Sequence, residues 1–293
     1  MSSTFPLVSI CIPTYNGAAY VDEAMESALK QDYPNVEIVV SDDGSLDDTV
    51  AIVESFRAKT SIPIYVYIHT PSGIGANWNH CVKKAKGEFI KFLFQDDVLY
   101  PNCISEQMAL MQRDAEVGLV YGKRDFLYAP AEREPLEPFM AYYGDLHQYW
   151  DSFSEVAGIR EGRQYLRDPQ FLNSPKNKVG EPTVVLLRKA VFEQVGYFDT
   201  KLEQALDCEF WYRVMSRYKV GFVEVPLAGF RLHQAQASNV NKTRDLPDRT
   251  LLYQRYYQKL FWYLHPKCQL KLLKLYHPFF KALVNFKRQF YAR

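Results

Sequence analysis

Residues Phe89 to Leu99 read Phe-Ile-Lys-Phe-Leu-Phe-Gln-Asp-Asp-Val-Leu, an apolar run that ends in two adjacent carboxylates, Asp96 and Asp97. The run is aromatic and β-branched, too short for a usual helix, and preceded by Gly87-Glu88, so it predicts a buried strand with both acids at its carboxyl end. Open α/β sheets bind their ligands at that edge. Two carboxylates without a basic residue to pair with repel each other unless a cation or a sugar hydroxyl shares the site. Successive side chains of an extended segment point opposite ways. A divalent ion on one and a ribose hydroxyl on the other is the natural division, and a plain acidic strand-to-loop turn is the alternative.

Two further polar turns would meet these acids. Val8–Ile12 and Val36–Val40 read as strands ending in Pro13-Thr14-Tyr15-Asn16-Gly17 and in Ser41-Asp42-Asp43-Gly44-Ser45, and Asp47 or Asp48 is placed to cap the helix that follows. Val21, Ala24, Met25, Ala28 and Leu29 fall at helical spacing, Ile64–Ile68 reads as a third strand, and Ile74, Trp78, Cys81, Val82 and Ala85 line another helical face. Such alternation implies right-handed crossovers and a mostly parallel sheet, so the three turns share one edge. Val117–Tyr121 adds a strand. Residues 126–178, with prolines at 130, 135, 138, 169 and 175, lose their periodicity and predict an irregular, partly helical insertion, a lid or an acceptor site. Thr183–Leu187 reads as a strand, Leu206–Met215 as a helix, Val220–Val225 as a short strand, and 234–248 as a polar loop.

The chain has 293 residues, 47% hydrophobic and 24% charged, which predicts one large soluble domain or a domain with an appendage. Met1–Pro6 lacks the basic start of a signal peptide, and no apolar stretch approaches the ~18 residues that span a bilayer. Five scattered cysteines match no zinc spacing and suggest a reducing compartment, so the expected location is cytoplasmic. The net charge of +1 is uneven: Leu251–Arg293 holds nine Lys/Arg and no Asp/Glu, which leaves residues 1–250 at about −8. Basic residues mixed with aromatics in this tail suit an anionic membrane surface, and equally a terminal helical pair packed on the body. The acidic remainder and the lack of a nucleic-acid module argue against a nucleic-acid partner.

Ile12-Pro-Thr-Tyr-Asn16, Ser41-Asp-Asp-Gly-Ser-Leu-Asp-Asp-Thr49, Gly87-Glu-Phe-Ile90 and Gln95-Asp-Asp97 stand in an order and spacing that resembles the family-2 glycosyltransferases, closely over residues 6–122 and more loosely over 181–238. The resemblance implies an α/β GT-A fold over residues 1–240, a mostly parallel central sheet flanked by helices. Residues 126–178 would be its acceptor-side insertion and 241–293 a basic, aromatic helical extension. It also implies inverting transfer of a hexosyl or deoxyhexosyl group from a nucleoside-diphosphate sugar to a saccharide or lipid-linked acceptor, with Mn²⁺ or Mg²⁺ and in surface-polysaccharide synthesis. UDP is the first expectation for the nucleotide, with dTDP and GDP as alternatives.

Carried over by position, Pro13, Thr14 and Tyr15 resemble the nucleotide-binding turn, and Asp43 the acceptor of a base N–H. Asp96 resembles the ribose-binding carboxylate. Asp97 resembles the metal-binding last residue of the Asp-x-Asp motif, whose first position is Gln95 here. Relatives with Ala-Arg-Asn in the next helix align with Asn77-Trp78-Asn79, which leaves Trp78 to the core and Asn79 as a cap or donor contact. In Leu206-Asp207-Cys208-Glu209-Phe210-Trp211, Asp207 aligns with the catalytic base, Leu206 replaces the usual Glu, and Glu209 is the fallback. Asp207, Phe210, Trp211 and Val214 share a helical face, and an acid on such a face favours a cleft, where partial burial would raise its pKa. Arg231-Leu232-His233, followed by Ser238, resembles the Arg-x-His segment, with His233 on the metal or diphosphate and Arg231 on phosphate. Glu181 and Trp211 would contact the acceptor.

Competing readings lack residues. A phosphatase built on Asp42-Asp43-Gly44-Ser45 needs a nucleophilic aspartate where Ser41 stands, and Gly73-Ile74-Gly75 lacks the third glycine of a dinucleotide loop, since Trp78 takes its place. A sugar-nucleotidyltransferase would want a Gly-rich, basic first loop, which residues 13–20 do not supply. A non-catalytic sugar-nucleotide-binding module would have lost Asp207 or Asp97, and both are present.

Overall fold

The computed structural model describes residues 5–151, 157–234, 236, 244 and 246–291. In the first half the alternation forms as expected. β1 (Val8–Thr14), β2 (Val36–Asp42), β3 (Ile64–Ile68) and β4 (Phe89–Phe92) lie parallel in the order β3-β2-β1-β4. Every residue of β1, β2 and β4 is buried, because helices cover both faces of a parallel sheet. The crossovers carry α1 (Val21–Leu29), α2 (Thr49–Ser55) and α3 (Ile74–Lys84). α1 turns Val21, Ala24, Met25 and Ala28 inward, as their spacing requires. Thr14 lies opposite Asp42, and Cys11 lies opposite Phe92. This register sets the turns after β1, β2 and β4 side by side.

The second half is mixed. β5 (Val98–Leu99) leads through α4 (Cys103–Met111) into β6 (Val117–Leu127). After α5 (Arg133–Tyr143), β7 (Gly158–Glu161) and α6 (Gly162–Leu166), β8 (Val185–Arg188) inserts antiparallel between β4 and β6. α7 (Val191–Val195) and α8 (Leu206–Met215) then precede β9 (Lys219–Arg231), which runs parallel to β6. β7 and β5 pair antiparallel with the early and late parts of β9, closing one nine-stranded sheet.

The described residues of the 126–178 segment form more regular structure than their composition suggested. β6 continues to Leu127 because β9 pairs with it as far as Arg231, so the strand expected at Val220–Val225 and the segment Ala228–Arg231 are one element. Trp150, Tyr165, Leu166, Phe171 and Leu172 are core residues. Their contacts follow no helical or strand period, since aromatics on short elements fill the core singly. The 234–248 stretch lies largely outside the described residues, Ser238 included.

The tail is helical, with α9 (Asp248–Arg255), α10 (Pro266–Tyr276) and α11 (Pro278–Tyr291). Leu252, Tyr256, Leu260, Leu264, Cys268 and Leu272 pack into the main core, so the tail as far as α10 is part of the body. None of the described α11 side chains is buried.

Candidate active site

The turns after β1 and β2 are zipped together. Gly17 N–H donates to Thr49 Oγ1 at 2.7 Å, Asn16 N–H to Ser45 Oγ at 2.8 Å, and Leu46 N–H to Asn16 Oδ1 at 2.9 Å. Asn16 has φ 48°, a left-handed conformation that asparagine tolerates well. Asp47 serves as the local acceptor before α2, taking Thr49 N–H at 3.1 Å and Ala18 N–H at 3.1 Å. Gln95 completes the arrangement: its Oε1 accepts Tyr15 N–H at 2.8 Å and its Nε2 donates to Tyr15 O at 3.1 Å. The Tyr15 ring is exposed.

Pro13 and Thr14, expected to contact the nucleotide, are instead buried, and the Thr14 hydroxyl donates to Asp42 Oδ2 at 2.7 Å. Tyr15 alone of the three presents its side chain. Asp43 accepts Ser72 N–H at 2.7 Å and Gly73 N–H at 3.0 Å, which ties the turn after β2 to the start of α3. Asn79 departs from expectation: its amide forms a reciprocal pair with the Phe198 backbone, both bonds at 3.0 Å, and is consumed in packing. Trp78 is core, against Phe92, Phe94 and Phe198.

The adjacent acids face different environments, and not as the motif implied. Asp97 is buried; its Oδ2 accepts the Thr183 hydroxyl at 2.6 Å and its Oδ1 the Arg231 N–H at 3.0 Å. Burial, then the charge of Asp96, pushes the Asp97 carboxyl well above the usual range. Asp96 is the more accessible acid, with Oδ2 3.0 Å from His233 Nε2. A carboxylate oxygen and an imidazole nitrogen at this separation suit neighbouring positions around an ion with bonds of about 2.1 Å. Asp97, expected to hold the ion, has both carboxylate oxygens engaged within the fold, whereas Asp96 Oδ2 and His233 Nε2 are paired with each other. Among the described residues no group of three or more His, Cys, Asp and Glu would hold a metal by itself. Arg231, expected on phosphate, directs its guanidinium to Asp96 O at 2.8 Å and to Glu23, and lies over the Tyr20 ring. It is a brace between the acid turn and α1.

α8 is buried at nine of its ten positions, and the exception is Asp207. The buried charges Glu209 and Arg213 neutralise each other, which leaves Asp207, in the first turn, as the one α8 position open toward solvent. Asp207 Oδ1 accepts Cys208 N–H at 2.6 Å and Oδ2 accepts Asn177 Nδ2 at 2.8 Å. Desolvation, reinforced by the charge of Glu181, lifts its pKa to about 7 against the pull of these bonds. Glu181 also acts on Asp97 and pairs with Arg124 at 2.6 Å, so it stands between the two acidic centres. Trp211, expected at the acceptor, is fully buried and donates Nε1–H to Gly180 O at 3.1 Å. Glu209, the fallback base, is buried between Arg213 and Lys259.

Three positioning residues escaped the sequence analysis. Asn177 Oδ1 accepts from Val179 N–H at 3.0 Å and Gly180 N–H at 2.9 Å, a turn that its spacing to Gly180 could have suggested. Buried Lys178 donates to the carbonyls of Gln170, Asn173 and Pro175, and desolvation lowers its pKa to about 8. Asp248, at the start of α9, accepts the N–H groups of Gln204 at 2.7 Å, Ala205 at 2.8 Å and Glu203 at 3.1 Å. The tail thus holds the residues that enter α8.

Residues 9–196 match the family model described as Glycosyl transferase family 2. An uncharacterized glycosyltransferase of Rickettsia typhi is 29% identical over 236 residues, 80% of this chain and 66% of that protein. The crystal structure of Staphylococcus aureus TarS 1–349 in complex with UDP-GlcNAc superposes with a TM-score of 0.65 at 21% identity, over 92% of this chain and 71% of that one. A mannosyltransferase of Pyrobaculum calidifontis in complex with GDP-Man and Mn²⁺ gives 0.58 at 16% identity, over 99% and 82%. These structures share the GT-A fold with this chain.

Proposed function

Because the chain belongs to glycosyl transferase family 2, we propose that it is a metal-dependent inverting glycosyltransferase acting on a saccharide or lipid-linked acceptor in surface-polysaccharide synthesis on the cytoplasmic side. The observation that carries this reading is Asp207, the only opening in a buried helix, held by Asn177 and with its pKa lifted to about 7. A general base works best when its pKa lies near the operating pH.

Tyr15 and Asp43 would hold the nucleobase, Tyr15 by its exposed ring and Asp43 by a carboxylate lone pair left over from Ser72 and Gly73. Asp96 and His233 would hold Mn²⁺ or Mg²⁺, and diphosphate oxygens and water would fill the other positions. When bound, the ion supplies positive charge that stabilises the departing diphosphate. Asp207 Oδ2 would take the proton of the acceptor hydroxyl as that oxygen attacks the anomeric carbon from the side opposite the leaving group, which inverts the centre. Glu181 would orient another acceptor hydroxyl beside the base. UDP comes first among donors, with GDP and dTDP next; the two compared structures hold a UDP sugar and a GDP sugar.

The test is release of free nucleoside diphosphate from a panel of UDP, GDP and dTDP sugars, with Mn²⁺ and with a chelator. Turnover with one nucleotide class, lost on chelation, is the expected result. No turnover or binding with any donor refutes the proposal.

A further inference from the structure

The two ends of the tail do different work. The stretch through α10 buries Leu252, Tyr256, Leu260, Leu264, Cys268 and Leu272 in the core, whereas on α11 Phe279, Leu283 and Phe286 are exposed and Phe280 is half-buried. Phe279 is 63% exposed, Phe286 60%, and Leu283 45%. In the sequence Phe279, Leu283 and Phe286 recur at four and three residues, the spacing of one helical face, while Lys281 falls on the opposite one. In the turn before α10, Trp262 is 84% exposed. Lys267, Lys271 and Lys274 stand exposed on α10. A soluble protein gains nothing from presenting such aromatics to water together.

Charge identifies the occupant. The last 43 residues carry nine Lys/Arg and no acid, against about −8 on the rest of the chain. A second copy packed symmetrically on this face would bring its own positive tail against this one. No helix among the described residues is long and apolar enough to cross a bilayer. An aromatic stripe with a cationic opposite side suits a helix lying in the plane of an anionic lipid surface. We infer that α11 docks this protein on anionic membranes, with Phe279, Leu283 and Phe286 sunk among the acyl chains and the tail lysines over the headgroups. The inference is independent of the donor and of the catalytic assignments.

The test is co-sedimentation of the full chain with phosphatidylcholine vesicles, with and without phosphatidylglycerol. Binding is expected only with phosphatidylglycerol, and it should weaken about fivefold for each lysine removed from α10 or α11, near 1 kcal/mol apiece. The double variant Phe279→Ser, Leu283→Ser should lose most of the binding. Both side chains are exposed, so the melting temperature and nucleotide release from a soluble donor should stay as in the parent. Failure of the parent to bind phosphatidylglycerol vesicles overturns the inference. So does equal binding by the double variant, since attraction by charge alone would then suffice. A parent dimer in solution that the double variant dissolves would assign the face to self-association and overturn it too.

Discussion

Asn177 donates its side-chain amide to Asp207 Oδ2 at 2.8 Å while its own oxygen is held by two backbone N–H groups, so the amide has a fixed orientation. A donor fixed in this way favours the ionised carboxylate. It opposes the desolvation and the Glu181 charge that lift Asp207 to about 7.

Replacing that donor should move the titration. In Asn177→Ala the ionised form of Asp207 loses a bond worth about 1.5–3 kcal/mol, so its pKa should rise by about 1–2 units. The other charged and titratable groups facing it are Glu181, Cys208 and Tyr212. The acidic limb of kcat/KM should shift upward by that amount, with activity recovering above pH 8 and the donor KM unchanged. A pH–rate profile identical to the parent's would show that Asn177 does not tune the base.

Asp207→Asn should lower kcat by about 10²- to 10⁴-fold, the usual contribution of a positioned base. Donor binding, read as thermal stabilisation by the nucleotide sugar, should persist. Parent-like turnover would remove Asp207 from the chemistry.

The acid pair should separate by phenotype. Asp96→Ala and His233→Ala should keep the parent melting temperature in the absence of metal and lose metal-stimulated activity. Asp97→Ala leaves the buried Thr183 hydroxyl and the Arg231 N–H without an acceptor, at about 1–3 kcal/mol each. It should melt several degrees lower even without metal. Differential scanning calorimetry beside a manganese titration of turnover distinguishes these outcomes, and the reverse pattern would restore the ion to Asp97.

Asp248→Ala removes the shared acceptor of the Glu203, Gln204 and Ala205 N–H groups. The start of α8 should loosen, so kcat should fall more than the donor KM changes, with a lower melting temperature as well. Unchanged kcat in a stably folded variant would make the tail's hold on α8 incidental to catalysis.

The strands and turns of the parallel half were legible because their signals are local. Apolar runs of strand length end in Gly, Asn and Asp turns, and the register follows from parallel pairing. Asp207 was legible as an acid on an aromatic face. What escaped was long-range. Whether Asp96 or Asp97 opens to the cleft depends on Thr183 and on β9, far along the chain. Asn79 and Trp211 carry ligand-like groups, but Phe198 and Gly180 claim them. The order within residues 126–178 rests on single aromatics filling a core, which leaves no period to read.

The reciprocal pairing of Gln95 with the Tyr15 backbone has a thermodynamic consequence. An amide stands where the motif's first acid would be, and both its polar atoms are committed to the neighbouring loop. Under the proposed assignment the ion would have one accessible carboxylate and one imidazole from the protein, too few to retain it in competition with water. Most of its affinity would arrive with the diphosphate. Ion and nucleotide then form a linked pair, each raising the other's affinity by the same factor. A chelator and an excess of unliganded nucleotide would empty the site along the same coordinate.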